Sequence, residues 1–72
     1  VPLADVAAEL QALLRRTGYY DGPEHGEFDA ATRTALRALV GSENLEERWD
    51  GTPDVIDLMV LEFLRERFPD LR

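Results

Sequence analysis

Apolar residues recur at helical spacing in three separate stretches of this chain. Val6, Leu10, Leu13 and Leu14 stand at i, i+4, i+7 and i+8, with Leu3 one turn earlier, so they share one helix face. Glu9, Gln11, Arg15 and Arg16 fall mostly off that face, and Gly18 follows as a residue able to take the left-handed conformation that ends helices. The spacing predicts a first helix over about residues 3–17. A second helix opens at Asp29, a good N-cap, and carries Thr32, Ala35, Leu36, Leu39 and Val40 on one stripe, with Gly41 expected to end or kink it. A third opens at Asp57 and carries Val60, Phe63, Leu64 and Phe68, with Met59 and Leu61 widening its apolar face and Pro69 closing it. In the connection between the last two, Ser42 is a candidate cap for a short helical turn holding Leu45 and Trp49 at i and i+4. Trp49 is then placed to cover one end of the core. The pattern predicts an all-α fold, a compact three-helix domain spanning residues 1–72.

The two loop-to-helix junctions resemble one another. Tyr20-Asp21-Gly22, five residues, then Phe28-Asp29 parallels Trp49-Asp50-Gly51, four residues, then Ile56-Asp57. Each copy reads aromatic, Asp-Gly turn, apolar anchor, Asp cap, helix. Phe28 and Ile56 are expected to plug the core just before each cap.

Composition narrows the function. At 72 residues, such a domain buries roughly 60% of the surface its unfolded chain exposes. An apolar fraction of 44% is ordinary for a globular protein. No apolar run approaches the ~20 residues that span a bilayer, so no membrane insertion is expected. The chain opens Val1-Pro2 without an initiator methionine, which reads as a piece excised from a longer protein. With no cysteine there is no disulfide, thiolate or zinc–sulfur chemistry. A net charge of −7 argues against nucleic acid, whose binding rests on neutralising phosphates.

The first loop concentrates the remaining candidate chemistry. Asp21 and Gly26 fit the first and sixth positions of a calcium loop, but Pro23 and His25 occupy ligand positions, and Thr32 stands where a bidentate Glu is required. No metal site and no other cofactor is expected. His25 lies among Asp21, Glu24, Glu27 and Asp29, yet no nucleophile accompanies it. It reads as a solvated loop histidine, and no catalytic residue is assigned. One of Tyr19 and Tyr20 is expected to turn inward and finish the core, leaving the other facing solvent, where an aromatic ring beside acids suits sugar or peptide recognition; the residues alone equally allow both rings simply to pack the loop against the helices.

The series Leu10-Gln11, Leu14, Gly18-Tyr19-Tyr20-Asp21-Gly22, Gly26, Phe28, Thr32 and Ala35-Leu36 resembles the peptidoglycan-binding domain family, whose pattern is "LQ..L...GYYDG...G.F...T..AL". The resemblance covers about residues 8–40, and the "GSENLEERW" stretch is similar to a branch often found C-terminal to uncharacterised Ntn-hydrolase-like proteins. The chain departs from the pattern at Ala38-Leu39-Val40, where typical members carry an aromatic followed by glutamine, and in a second loop rewritten around Trp49-Asp50-Gly51. The resemblance implies a three-helix module that binds peptidoglycan or a muropeptide and targets an attached catalytic domain of the parent chain. It implies a ligand site of Tyr19, Tyr20, Asp21 and Arg33 bordering one concave surface, with Arg33 reaching a stem-peptide carboxylate. Such a role implies the cell envelope. The alternative is a protein-interaction or oligomerisation domain that keeps the fold but not the ligand, for which the expected setting is cytoplasmic.

Overall fold

In the computed structural model, residues 1–69 are described. They form a 3₁₀ turn, Leu3–Val6, and three α-helices: α1 (Ala7–Thr17), α2 (Ala30–Ser42) and α3 (Leu58–Arg67). One apolar cluster joins them. Leu10, Leu13 and Leu14 of α1 meet Ala35, Leu36, Leu39 and Val40 of α2 and Val60, Leu61 and Leu64 of α3, and Tyr20, Trp49 and Ile56 close the cluster from the loops. Leu10, Leu14, Leu36, Leu39, Val60 and Leu64 are buried as their stripes predict; Ile56 is buried too, and Phe28 is half-buried against the cluster.

The helix predicted over residues 3–17 divides at Val6, whose backbone (φ −120°, ψ 14°) leaves the helical region. The cause lies across the molecule. Leu3 N–H donates to the Asp54 carbonyl at 2.8 Å, and Ile56 N–H donates to the Val1 carbonyl at 2.8 Å. An isolated antiparallel bridge pairs Pro2 with Val55. These bonds draw the first turn toward the second loop, and the α-helix starts only after it. At its other end Gly18 adopts φ +87°, and the amides of Tyr19 and Tyr20 both return to the Leu14 carbonyl.

Both aspartates cap their helices. Asp29 accepts from Thr32 N–H at 2.9 Å and Asp57 from Met59 N–H at 2.8 Å. Helix α2 runs through Gly41 and ends at Ser42, and the left-handed residue after it is Asn44 (φ +60°). Asparagine tolerates that conformation, so Gly41 is not needed as a terminator. Ser42 belongs to α2 and does not cap the next turn. That turn forms regardless: the Arg48 and Trp49 amides both donate to the Leu45 carbonyl, and Trp49 is buried.

Helix α3 is rotated from its expected phase. Val60, Leu61 and Leu64 face the core, whereas Phe63 is 41% exposed and Met59 68% exposed. At about 100° per residue, Phe68, which is half-buried against the core, falls in line with Leu61 and Leu64. Phe63 falls on the far side of Val60, outside that arc. A bidentate pair ties α3 to α1: Arg65 donates to both Glu9 oxygens, at 2.7 and 2.9 Å. The Arg65 hydrogen bond is the main reason the Glu9 carboxyl sits below its ordinary value. No helix among the described residues is long and apolar enough to cross a membrane.

Candidate functional site

The first loop is shaped from within by Gln11. Sequence periodicity places this residue off the apolar face, but its side chain is fully buried. Its amide nitrogen donates to the Glu27 carbonyl at 2.8 Å and to the Thr32 hydroxyl at 3.0 Å, and its oxygen accepts from Gly26 N–H at 2.9 Å. Thr32 in turn donates its hydroxyl to Asp29 at 2.7 Å. A helix face thus binds the loop through one amide, and among the described residues no buried side-chain polar atom lacks a partner. The Thr32 hydroxyl and amide, in that order, hold the Asp29 carboxyl below the usual range.

The two tyrosines divide as expected. Tyr20 turns inward, 7% exposed, and donates its hydroxyl to the Pro23 carbonyl at 2.9 Å. Gly22 is demanded by that ring, since a Cβ there would lie 2.6 Å from the Tyr20 hydroxyl oxygen. Tyr19 faces outward at 38% exposure. The second loop repeats this design. Trp49 is buried, its indole N–H donates to the Pro53 carbonyl at 3.2 Å, and Gly51 takes φ +101°. The junction resemblance in the sequence therefore corresponds to equivalent structural parts.

Beside the first loop lies a shallow concavity of about 410 Å³. Tyr19, Tyr20 and Asp21 form one wall, and Ala30, Ala31, Thr34 and Ala38 of α2 form the floor. The Asp21 carboxylate is exposed and accepts no side-chain or backbone hydrogen bond among the described residues. The alanines and Thr34 were not singled out from sequence. Their signal is a row of small residues at i, i+1, i+4 and i+8 on the solvent side of α2, next to the aromatic turn. A larger concavity of about 450 Å³ runs along α3, from Leu58 to Glu66.

Arg33 is not part of the tyrosine concavity. Its Nη1 donates to the carbonyls of Gly51, Thr52 and Pro53 at 2.9, 3.1 and 3.0 Å, and its Nη2 pairs with Asp54. Its guanidinium also lies 5.1 Å over the Phe28 ring, which meets Trp49 edge-on at 6.5 Å. Arg33 therefore lies apart from Tyr19 and Asp21. Arg33 leaves α2 toward the second loop, whose run of turn carbonyls captures it. His25 is held locally: its Nδ1 accepts from Glu27 N–H and its Nε2 lies 3.0 Å from Asp29, each contact within its own loop. Among the described residues, no group of three or more His, Asp or Glu side chains is placed to hold a metal ion.

The profile of the family described as "Putative peptidoglycan binding domain" matches residues 1–64. The chain belongs to this family. No curated protein and no solved structure matches it. The geometry gives most of the peptidoglycan-binding domain's pattern a folding task. Leu10, Leu14, Ala35 and Leu36 build the core, Gln11, Gly26 and Thr32 hold the loop, Gly18 ends α1, and Gly22 admits the Tyr20 ring. Tyr19 and Asp21 are the two pattern residues whose side chains take no such task.

Proposed function

We propose that this domain is a non-catalytic module that binds peptidoglycan or a related glycan-peptide in the Tyr19–Asp21 concavity and carries an attached catalytic domain to the wall. The single observation that supports the reading is that Tyr19 and Asp21, idle in the fold, flank a hollow floored by small α2 side chains. A tyrosine ring covers the C–H face of a sugar, and a floor of alanines lets a flat ligand approach closely. With Arg33 committed to the second loop, the charge in this hollow is the Asp21 carboxylate. It suits a ligand amine, such as that of a stem-peptide diamino acid, better than a carboxylate. Single contacts of this kind bind weakly, and a second attachment point on the parent strengthens them.

The test is an NMR titration with soluble muropeptides carrying either a free or an acetylated side-chain amine. Shifts on Tyr19, Asp21, Ala31 and Thr34 with the free-amine ligand, lost in Tyr19→Ala and weakened in Asp21→Asn, are expected. Silence of these residues at saturating ligand overturns the reading. A second reading, a protein-interaction domain, is favoured by an exposed apolar face on α3 that shares no residue with this concavity.

A further inference from the structure

Helix α3 is apolar on two sides. Val60, Leu61 and Leu64 fill the core, while Leu58 (52% exposed), Met59 and Phe63 stand in solvent. At about 100° per residue, Leu58, Glu62, Glu66, Met59 and Phe63 form one continuous arc facing away from the core. These five residues line the 450 Å³ concavity along the helix. A second hollow of about 160 Å³ continues it across Met59 and Phe63 to Leu45 and Arg48. Apolar surface concentrated in this way marks a place where something docks, whereas single exposed apolar side chains carry no such meaning.

The charges at its edge decide what docks. Glu62 and Glu66 form no ion pair among the described residues, although the surrounding arginines are paired: Arg65 with Glu9, Arg67 with Glu43 and Arg48 with Asp57. A second copy of this chain would bring its own Glu62 and Glu66 against these two, with no uncommitted arginine on the face to offset them. Like charges set together in an interface are costly. An amphipathic helix with an apolar row flanked by lysine or arginine meets both features: its apolar row fills the hollow over Met59 and Phe63, and its cations reach Glu62 and Glu66. The net charge of −7 draws such a partner in.

We infer that the outer face of α3 is a docking surface for a basic amphipathic helix of a protein partner, independent of the tyrosine concavity.

The experiment uses two synthetic helical peptides with identical leucine positions, one flanked by lysines and one by glutamates, titrated into the isotopically labelled chain. Saturable shifts confined to α3 and residues 45–48 are expected with the lysine peptide. Binding of the glutamate peptide should be at least about ten-fold weaker, and the difference should shrink at high salt. The exposed pair Glu62→Lys and Glu66→Lys should reverse the peptide preference. Met59→Ser with Phe63→Ser should abolish binding of either peptide while the far-UV circular dichroism stays unchanged. Equal binding of both peptides, or no shift on α3 with the lysine peptide, overturns the inference. So does sedimentation showing a wild-type dimer that the two serine substitutions dissociate, because the occupant is then a second copy.

Discussion

Gln11 and Gly26 are joined by a 2.9 Å hydrogen bond from a loop amide to a buried side-chain oxygen, across fifteen residues of sequence. The same glutamine carries the Glu27 carbonyl and the Thr32 hydroxyl, so one side chain fixes the loop to α1 and to the start of α2. Gln11→Leu keeps the volume and removes all three partners. Leaving a buried polar group unsatisfied costs about 1–3 kcal/mol, so the urea midpoint should fall by at least that equivalent. Amide exchange at Gly26 should accelerate more than exchange in α3. A variant with unchanged stability would show that the loop holds itself.

Arg33 makes a second prediction. Its fork serves three carbonyls, one carboxylate and the Phe28 face. Arg33→Met should destabilise the chain by about 1–3 kcal/mol through those charged hydrogen bonds. Arg33→Lys should recover little of it, because an ammonium cannot reproduce the planar geometry. Chemical denaturation of the three proteins checks the order, and a lysine variant as stable as wild type would contradict it.

The helices, their aspartate caps and the inward tyrosine were legible in sequence because each rests on a local rule: periodicity, a capping oxygen, a turn glycine. Gln11 and Arg33 have roles that periodicity does not show. Both are polar residues whose partners include backbone groups of loops distant in sequence, and periodicity alone assigns such side chains to solvent. The phase of α3 was misread because apolar residues lie on both of its sides, and pattern alone does not say which side meets the core. Around the concavity, Tyr19 and Asp21 stand out in the sequence as part of the aromatic turn, whereas the α2 floor does not: alanines announce nothing until a neighbouring loop turns them into a surface.

Stability should fall in acid, with a definite sign. Glu9, Asp29 and Asp50 all have lowered carboxyl pKa values, owing chiefly to Arg65, Thr32 and Thr52 respectively. A lowered value in the folded state means that folding favours the ionised form. The resulting stability is fully present above the ordinary values, 4.5 for Glu9 and 3.8 for the aspartates. It is lost as the pH drops through the lowered folded values. All three groups are well exposed, so salt screens the effect. Thermal melts from neutral pH downward should show a flat region and then a decline beginning near those ordinary values. In Glu9→Gln the decline should be shallower, and a melting temperature that rises in acid would contradict the assignment.

Glycine at position 22 should be irreplaceable for a reason that lies in Tyr20. Its backbone has no left-handed strain to relieve, yet an added Cβ would meet the Tyr20 ring at 2.6–2.7 Å. Gly22→Ala should cost about 1–3 kcal/mol by overpacking. Combining it with Tyr20→Phe, which deletes the nearest atom, should recover part of the loss beyond simple addition. A double-mutant cycle by chemical denaturation measures that coupling, and strict additivity would place the clash elsewhere.

Adjacent tyrosines should behave as two different kinds of residue. Tyr20→Ala empties a buried aromatic site and should cost about 3–5 kcal/mol, a large share of what a chain of this size commands. Tyr20→Phe removes only the 2.9 Å bond to the Pro23 carbonyl and should cost about 1 kcal/mol. Tyr19→Ala removes a ring that is 38% exposed and outside the apolar cluster, and should leave stability within about 0.5 kcal/mol of wild type. Denaturation of the three variants reads the stability order. Sedimentation of Tyr19→Ala with purified cell-wall sacculi then asks about binding in a protein whose fold is intact. If Tyr19→Ala were as damaging to stability as Tyr20→Ala, the outward ring would be a packing element. The case for a ligand on that face would then rest on Asp21 alone.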